Sequence, residues 1–252
     1  MLRTKALVGL AALGLVTALA TPALGAGGQN LKWTFNSAGS PVTTVADDTG
    51  KMHTGTVTTA NGGQITTLTP GRDGVGQAVQ FPALCVGASC PKAMITTPSQ
   101  PDLNPGTGKF SYGAWVKLTT AQLSTTTGSN LVQKGLSDSS QWKLQIDPHN
   151  GVLGLPSCVV RRAGGTESKL VRSDISVADG NWHKLVCQRT DTGYLQIYVD
   201  NNFRQQVPLP APAYDIAPAG QVTVGAKNLG ADNDQYYGQL DDVFYNDYLA
   251  YP

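Results

Sequence analysis

Among residues able to do chemistry, this chain has sixteen aspartates, one glutamate (Glu167), three histidines and four cysteines. The aspartates fall in close sets: Asp47–Asp48, Asp232 with Asp234, and Asp241–Asp242. Two carboxyl groups flanking a bond are what glycoside hydrolysis usually needs. Glu167, however, stands alone in the loop-like GGTESK. The aspartate sets sit among Thr, Gly and Asn, where they read as turn residues or as oxygen ligands for a hard cation. The stretch GADNDQYYG, residues 230–238, spaces Asp232 and Asp234 like part of a calcium loop. It lacks both the sixth-position glycine and the closing glutamate, so it reads as an ordinary loop.

His53, His149 and His183 supply neither a nucleophile–base pair nor a zinc spacing, and no G-x-S-x-G motif accompanies them. In ADGNWHKLVC, residues 178–187, an Asp-Gly turn precedes Trp182 and His183. The expectation is scaffolding. Trp182 and Leu185 enter the core, and the imidazole donates to a nearby backbone carbonyl, as a buried polar group requires. No residue is assigned a catalytic role, and the chain is not read as an enzyme.

The cysteines point to a compartment. Arg3 and Lys5 precede the uncharged run ALVGLAALGLVTALA, and small residues follow it. Residues 1–25 therefore read as a signal peptide cleaved after Gly25 or Ala26, with Ala18 and Ala20 marking a less favoured site. No later apolar stretch is long enough for a membrane span, and a secreted, extracellular protein is expected. There, four cysteines imply disulfides, with three possible pairings. Cys85 and Cys90 can close the short loop CVGASC. Cys158 and Cys187 lie in strand-like runs and are expected to bridge neighbouring strands. Eighteen basic residues against seventeen acidic ones leave a net charge of +1, which argues against a nucleic-acid partner.

Strands must position these groups. KFSYGAWVKLT places Phe110, Tyr112, Ala114, Val116 and Leu118 at period two. Short strand-like runs follow, separated by PHNG, ADGN and TDTG, with no helical period. The fold class is all-β, an antiparallel β-sandwich in which each sheet buries one face. The stretch from Asn36 to Gly63 reads as a long turn-rich excursion, and residues 26–252 as one domain.

Four ordered segments then carry a resemblance. WTFNSAGSPVTTVADDTGKMHTGTV, GRDGVGQAVQF, FSYGAWVKLT, and DGNWHKLVCQRTDTGYLQIYVDN followed by VTVGAK and YYGQLDDVFYN match in order. Together they resemble the laminin-G-like jelly roll of the concanavalin A-like lectin/glucanase superfamily, in its bacterial secreted form. The resemblance implies that Asp47 and Asp241 or Asp242 ligate calcium, with carbonyls near Lys51 and His53 supplementing them. The alternative is that Asp47 forms an Asx-turn and the Asp pair caps a strand. The glucanase motif E-x-D-x-x-E is missing from this chain. What remains implied is a non-catalytic module that binds carbohydrate or a cell-envelope glycan. Trp142, Tyr236 and Tyr237 are its candidate sugar platforms. An extracellular protein partner or structural role is the second reading, and a divergent hydrolase the third.

Overall fold

Period-two alternation sets the architecture, because each strand with one apolar face must find a sheet to lay it against. The computed structural model describes residues 28–164, 167–210 and 214–252. The expected signal segment, residues 1–25, lies outside them, as does Ala26. The strands run in chain order as β1 (Gln29–Trp33), β2 (Thr44–Val45), β3 (Gly55–Ala60) and β4 (Thr66–Leu68). Next come β5 (Ala78–Gln80), β6 (Lys92–Thr97), β7 (Phe110–Thr119) and β8 (Ser129–Gly135). The middle of the fold is β9 (Gln141–His149), β10 (Val152–Arg161), β11 (Ser168–Arg172) and β12 (Asp179–Arg189). It ends with β13 (Tyr194–Val199), β14 (Asn202–Pro208), β15 (Val222–Val224) and β16 (Gln239–Asn246). The only helical pieces among the described residues are two single 3₁₀ turns, Pro101–Leu103 and Thr120–Gln122.

Two antiparallel sheets result. The first runs β14-β13-β12-β7-β16-β5-β4, with β1 also paired to β16. The second runs β11-β10-β9-β8-β15-β6-β3-β2. The expected alternation of β7 holds, and all five of its named apolar residues are buried. Between the sheets lies an aromatic centre. Tyr112 and Trp142 have ring centroids 4.9 Å apart, and Trp142 and Tyr245 5.2 Å apart. No helix among the described residues is long and apolar enough to cross a membrane.

Three expectations change. The excursion from Asn36 to Gly63 contains β2 and β3, because the Thr- and Val-rich run Gly55–Ala60 pairs with β6 across five residues. β-branched side chains suit that half-buried surface. Cys85–Cys90 and Cys158–Cys187 both form, which fits an oxidising compartment. Yet Cys158 and Cys187 do not join neighbouring strands. β10 and β12 belong to opposite sheets, and both cysteines face the core, so their bond crosses the sandwich interior. Finally, Trp182 is only half-buried. It sits opposite Lys117, on the face of β12 away from the core that holds Leu185.

Candidate functional site

Strand β9 reads Gln-Trp-Lys-Leu-Gln-Ile-Asp from Gln141 to Asp147. Trp142, Leu144 and Ile146 enter the core, so Gln141, Lys143, Gln145 and Asp147 fall on the outer face of the second sheet. Cross-strand register extends this polar row. Gln133 of β8 lies opposite Lys143, Thr223 of β15 lies opposite Gln133, and Ser157 of β10 lies opposite Gln145. An outer face normally meets solvent, yet Gln133, Gln141, Lys143, Ser157 and Thr223 are all buried.

The loop from Ala226 to Gln235 folds back against the part of this face around Gln141 and Lys143. Asn130 donates its backbone N–H to the Asp234 carbonyl at 2.7 Å, and Lys92 Nζ donates to the carbonyls of Leu229 and Gly230. Lys143 Nζ pairs with Asp234 at 2.9 Å, and Lys227 Nζ pairs with Asp232 at 3.0 Å and Asp234 at 3.5 Å. Burial works against the Lys227 charge, but those two aspartates outweigh it and hold its pKa above the ordinary lysine value.

The loop divides two cavities. One of about 600 Å³ is lined by Gln141, Lys143, Gln145, Val159 and Asn228, the other of about 230 Å³ by Lys92, Asn233 and Tyr237. Asp232 and Asp234 border both. Several buried polar atoms here have no protein partner: both amide atoms of Asn130, Gln133 Oε1, Thr223 Oγ1 and Asn233 Nδ2. Buried polar atoms ordinarily find partners. The larger cavity is a groove of amides in which Lys143 and Lys227 are paired with Asp232 and Asp234, with Asp138 at its wall.

Of the three aromatic candidates only Tyr237 lines a cavity, and its hydroxyl donates to the Cys85 carbonyl. Trp142 and Tyr236 are corrected: both are fully buried and present no ring face to a ligand. Trp142 Nε1 donates to the Leu103 carbonyl, and the Tyr236 hydroxyl to those of Lys117 and Gln239. On β9 it is the neighbours of Trp142, namely Gln141, Lys143 and Gln145, that face outward. The signal lay in the same alternation, since the neighbours of a core tryptophan on a strand face outward.

The carboxylates implied for calcium are committed elsewhere. Asp47 accepts the backbone N–H groups of Lys32, Thr49 and His53 and the Thr49 hydroxyl. Partial burial pushes its pKa up, but these hydrogen bonds win and hold it below the ordinary value. The Thr49 bond is the Asx-turn alternative. Asp242 pairs with Arg72 at 2.5 Å, and Arg72 lies 4.2 Å from the Trp115 ring centroid. Asp241 accepts N–H groups from Arg72 and Asp242, and burial, then the Asp242 charge, push it up to about 6. Among the described residues no three His, Cys, Asp or Glu side chains gather as a metal site. With Asp47 saturated by N–H donors and Asp242 held by a guanidinium, the donor set does not fit a calcium ion.

Strand β16 breaks its alternation. Val243 does not share a face with Asp241, because a bulge lies between Asp241 and Phe244 with Asp242 at φ 46°. The extra residue lets Leu240 and Val243 both enter the core.

His183 is structural, with partners other than a carbonyl. Nδ1 meets Asp200 at 2.7 Å and Nε2 meets Asp179 at 3.0 Å. Asp200 opens the β13–β14 turn, where Asp200 and Asn201 both have positive φ, so the imidazole ties β12 to that hairpin. The imidazole is not buried enough to be limited to backbone partners. Glu167, the lone glutamate, is exposed and pairs with Lys169 at 2.7 Å.

Comparison with known structures follows from this geometry. Domain 4 of AbnA, a GH43 extracellular arabinanase from Geobacillus stearothermophilus, in complex with arabinotriose, superposes with a TM-score of 0.59. It is 17% identical, over 87% of this chain and 92% of that one. The binding domain of botulinum neurotoxin DC matches at TM-score 0.58 and 11% identity in complex with SialylT, and at 0.59 and 12% in complex with rat synaptotagmin II. Each toxin match covers 87% of this chain and 48% of the toxin chain. No curated protein matches the chain. A laminin-G family model, described as concanavalin A-like lectin/glucanases superfamily, matches residues 92–249, more than half of the sequence. By that match, and with two antiparallel sheets packed as a jelly-roll sandwich, the chain belongs to the laminin-G-like branch of the concanavalin A-like lectin/glucanase superfamily.

Proposed function

We propose that residues 26–252 form one secreted, non-catalytic carbohydrate-binding module, and that the groove on the outer face of the second sheet takes a neutral glycan. The observation that carries this reading is the polar row Gln141, Lys143 and Gln145 lining one cavity beside the Lys143–Asp234–Lys227 charge chain. Sugar hydroxyls both donate and accept, so a groove of amides whose lysines are paired with aspartates suits them better than an anionic or apolar ligand. Residues at i and i+2 on a strand stand roughly 7 Å apart, a spacing on the scale of successive sugar units. The arabinotriose and SialylT complexes of the similar structures support the carbohydrate class.

The test is a glycan array probed with the purified protein in calcium and again in a chelator, repeated with Gln145→Ala and Gln141→Ala. Saturable binding of the folded protein to a neutral glycan, weakened about tenfold by either substitution, is the expected outcome. Each substitution removes one side-chain hydrogen-bonding group worth roughly 1 kcal/mol or somewhat more at a binding site. The chelator is expected to change nothing. Absence of any glycan binding would transfer the reading to a protein partner, and turnover of a polysaccharide would end the non-catalytic one.

A further inference from the structure

The outer face of the first sheet holds a second, chemically different cavity. It encloses about 310 Å³ and is lined by Lys32, Trp115, Lys184, Asp242 and Phe244 among others. These five come from four strands: Lys32 from β1, Trp115 from β7, Lys184 from β12, and Asp242 and Phe244 from β16. Register explains their meeting. Lys184 lies opposite Trp115, and Lys32 lies opposite Phe244.

Its charge is not balanced. Asp242 is neutralised by Arg72, which reaches it because the bulge re-aims the carboxylate. Lys32 and Lys184 meet no carboxylate within 4 Å among the described residues. Lys184 Nζ has only a 3.3 Å contact to Asn201 Oδ1 and lies 5.4 Å from the Tyr251 ring centroid. Two uncompensated ammonium groups therefore share a small cavity with two aromatic side chains, and a non-glycine residue sits at φ 46° on its wall. Backbone held in that region costs free energy and persists where the surroundings fix it, often at binding sites.

We propose that this cavity binds a carboxylate-bearing saccharide unit, of the uronic acid class. The carboxylate would lie between Lys32 and Lys184, and the sugar ring against Trp115 and Phe244. The volume stands at the lower end of the range for small-ligand sites, so it accommodates a single acidic unit. This site is independent of the groove on the opposite sheet, whose two lysines are both paired with aspartates.

The experiment is a calorimetric titration of the purified chain, at low ionic strength, with a linear trigalacturonate, with the same trimer as its methyl ester, and with a triaspartate peptide. The free acid is expected to bind at least about tenfold more tightly than the ester, since each charge-assisted hydrogen bond exceeds a neutral one. Lys32→Gln and Lys184→Gln are expected to weaken it several-fold each, and the double variant to abolish it, with melting unchanged. Gln145→Ala, on the other sheet, should leave it intact, which separates failure here from failure of the groove. The proposal is overturned by equal binding of acid and ester, by an undiminished double variant, by no binding at millimolar concentration, or by a peptide that binds as tightly as the sugar.

Discussion

At the scale of single residues, two titrating groups have pKa values raised by the fold, for different reasons. Burial works against the charge on His183, but hydrogen bonds to Asp200 and Asp179 outweigh it and raise its pKa. A raised histidine contributes stability that is fully present below its unfolded pKa and lost as pH rises through the folded one. His183→Ala should therefore lower stability by about 1 kcal/mol at mildly acidic pH, a modest figure because the partners are partly exposed. Chemical denaturation at two pH values checks this. The gap from wild type should narrow at alkaline pH, and glycan binding by the folded protein should not change. Asp241 has the same sign at lower pH, but there burial disfavours its charge. Its carboxyl, pushed up from 3.8 to about 6 by burial and then by Asp242, favours the protonated native state. Wild type should lose stability as pH rises from about 4 to 6, and Asp241→Asn should flatten that slope. A urea midpoint for the variant that falls as steeply as wild type over this interval would count against the assignment.

Elements show what could be read from sequence and what could not. Strand β7 was legible because five apolar residues at period two leave one way to bury them. Strand β16 was not, since its bulge is set by pairing with β7 and by the Arg72–Asp242 contact, neither visible along the chain. The same limit hid the groove. Its floor comes from β9 and β10, its rim from residues 136–138 and its divider from the loop Ala226–Gln235, so no single segment carries its signature. Trp142 shows the hazard of choosing by residue type, for an aromatic on an alternating strand is more often core than platform. The disulfide pairing was legible from cysteine spacing, but the sheet assignment of Cys158 and Cys187 required the topology.

For the whole molecule, the Cys158–Cys187 bond ties one sheet to the other across a sequence separation of 29. The chain-entropy estimate gives roughly 3–4 kcal/mol for a loop of this size. Replacing both cysteines by alanine should lower the melting temperature by roughly 10 °C in a chain of this length. Differential scanning calorimetry checks it, and a shift under about 2 °C would show that the packed sheets hold each other without the bond. The pairing of β1 with β16 bears on a different matter, that of attachment. Gln29 lies opposite Asn246, so chain entering the fold and chain leaving it run side by side along one sheet, and Gln29, Asn246 and Tyr248 border the lysine cavity. Bulk attached through the backbone at Gln29 or Asn246 would therefore crowd that cavity, on the sheet opposite the amide groove, and leave the groove open.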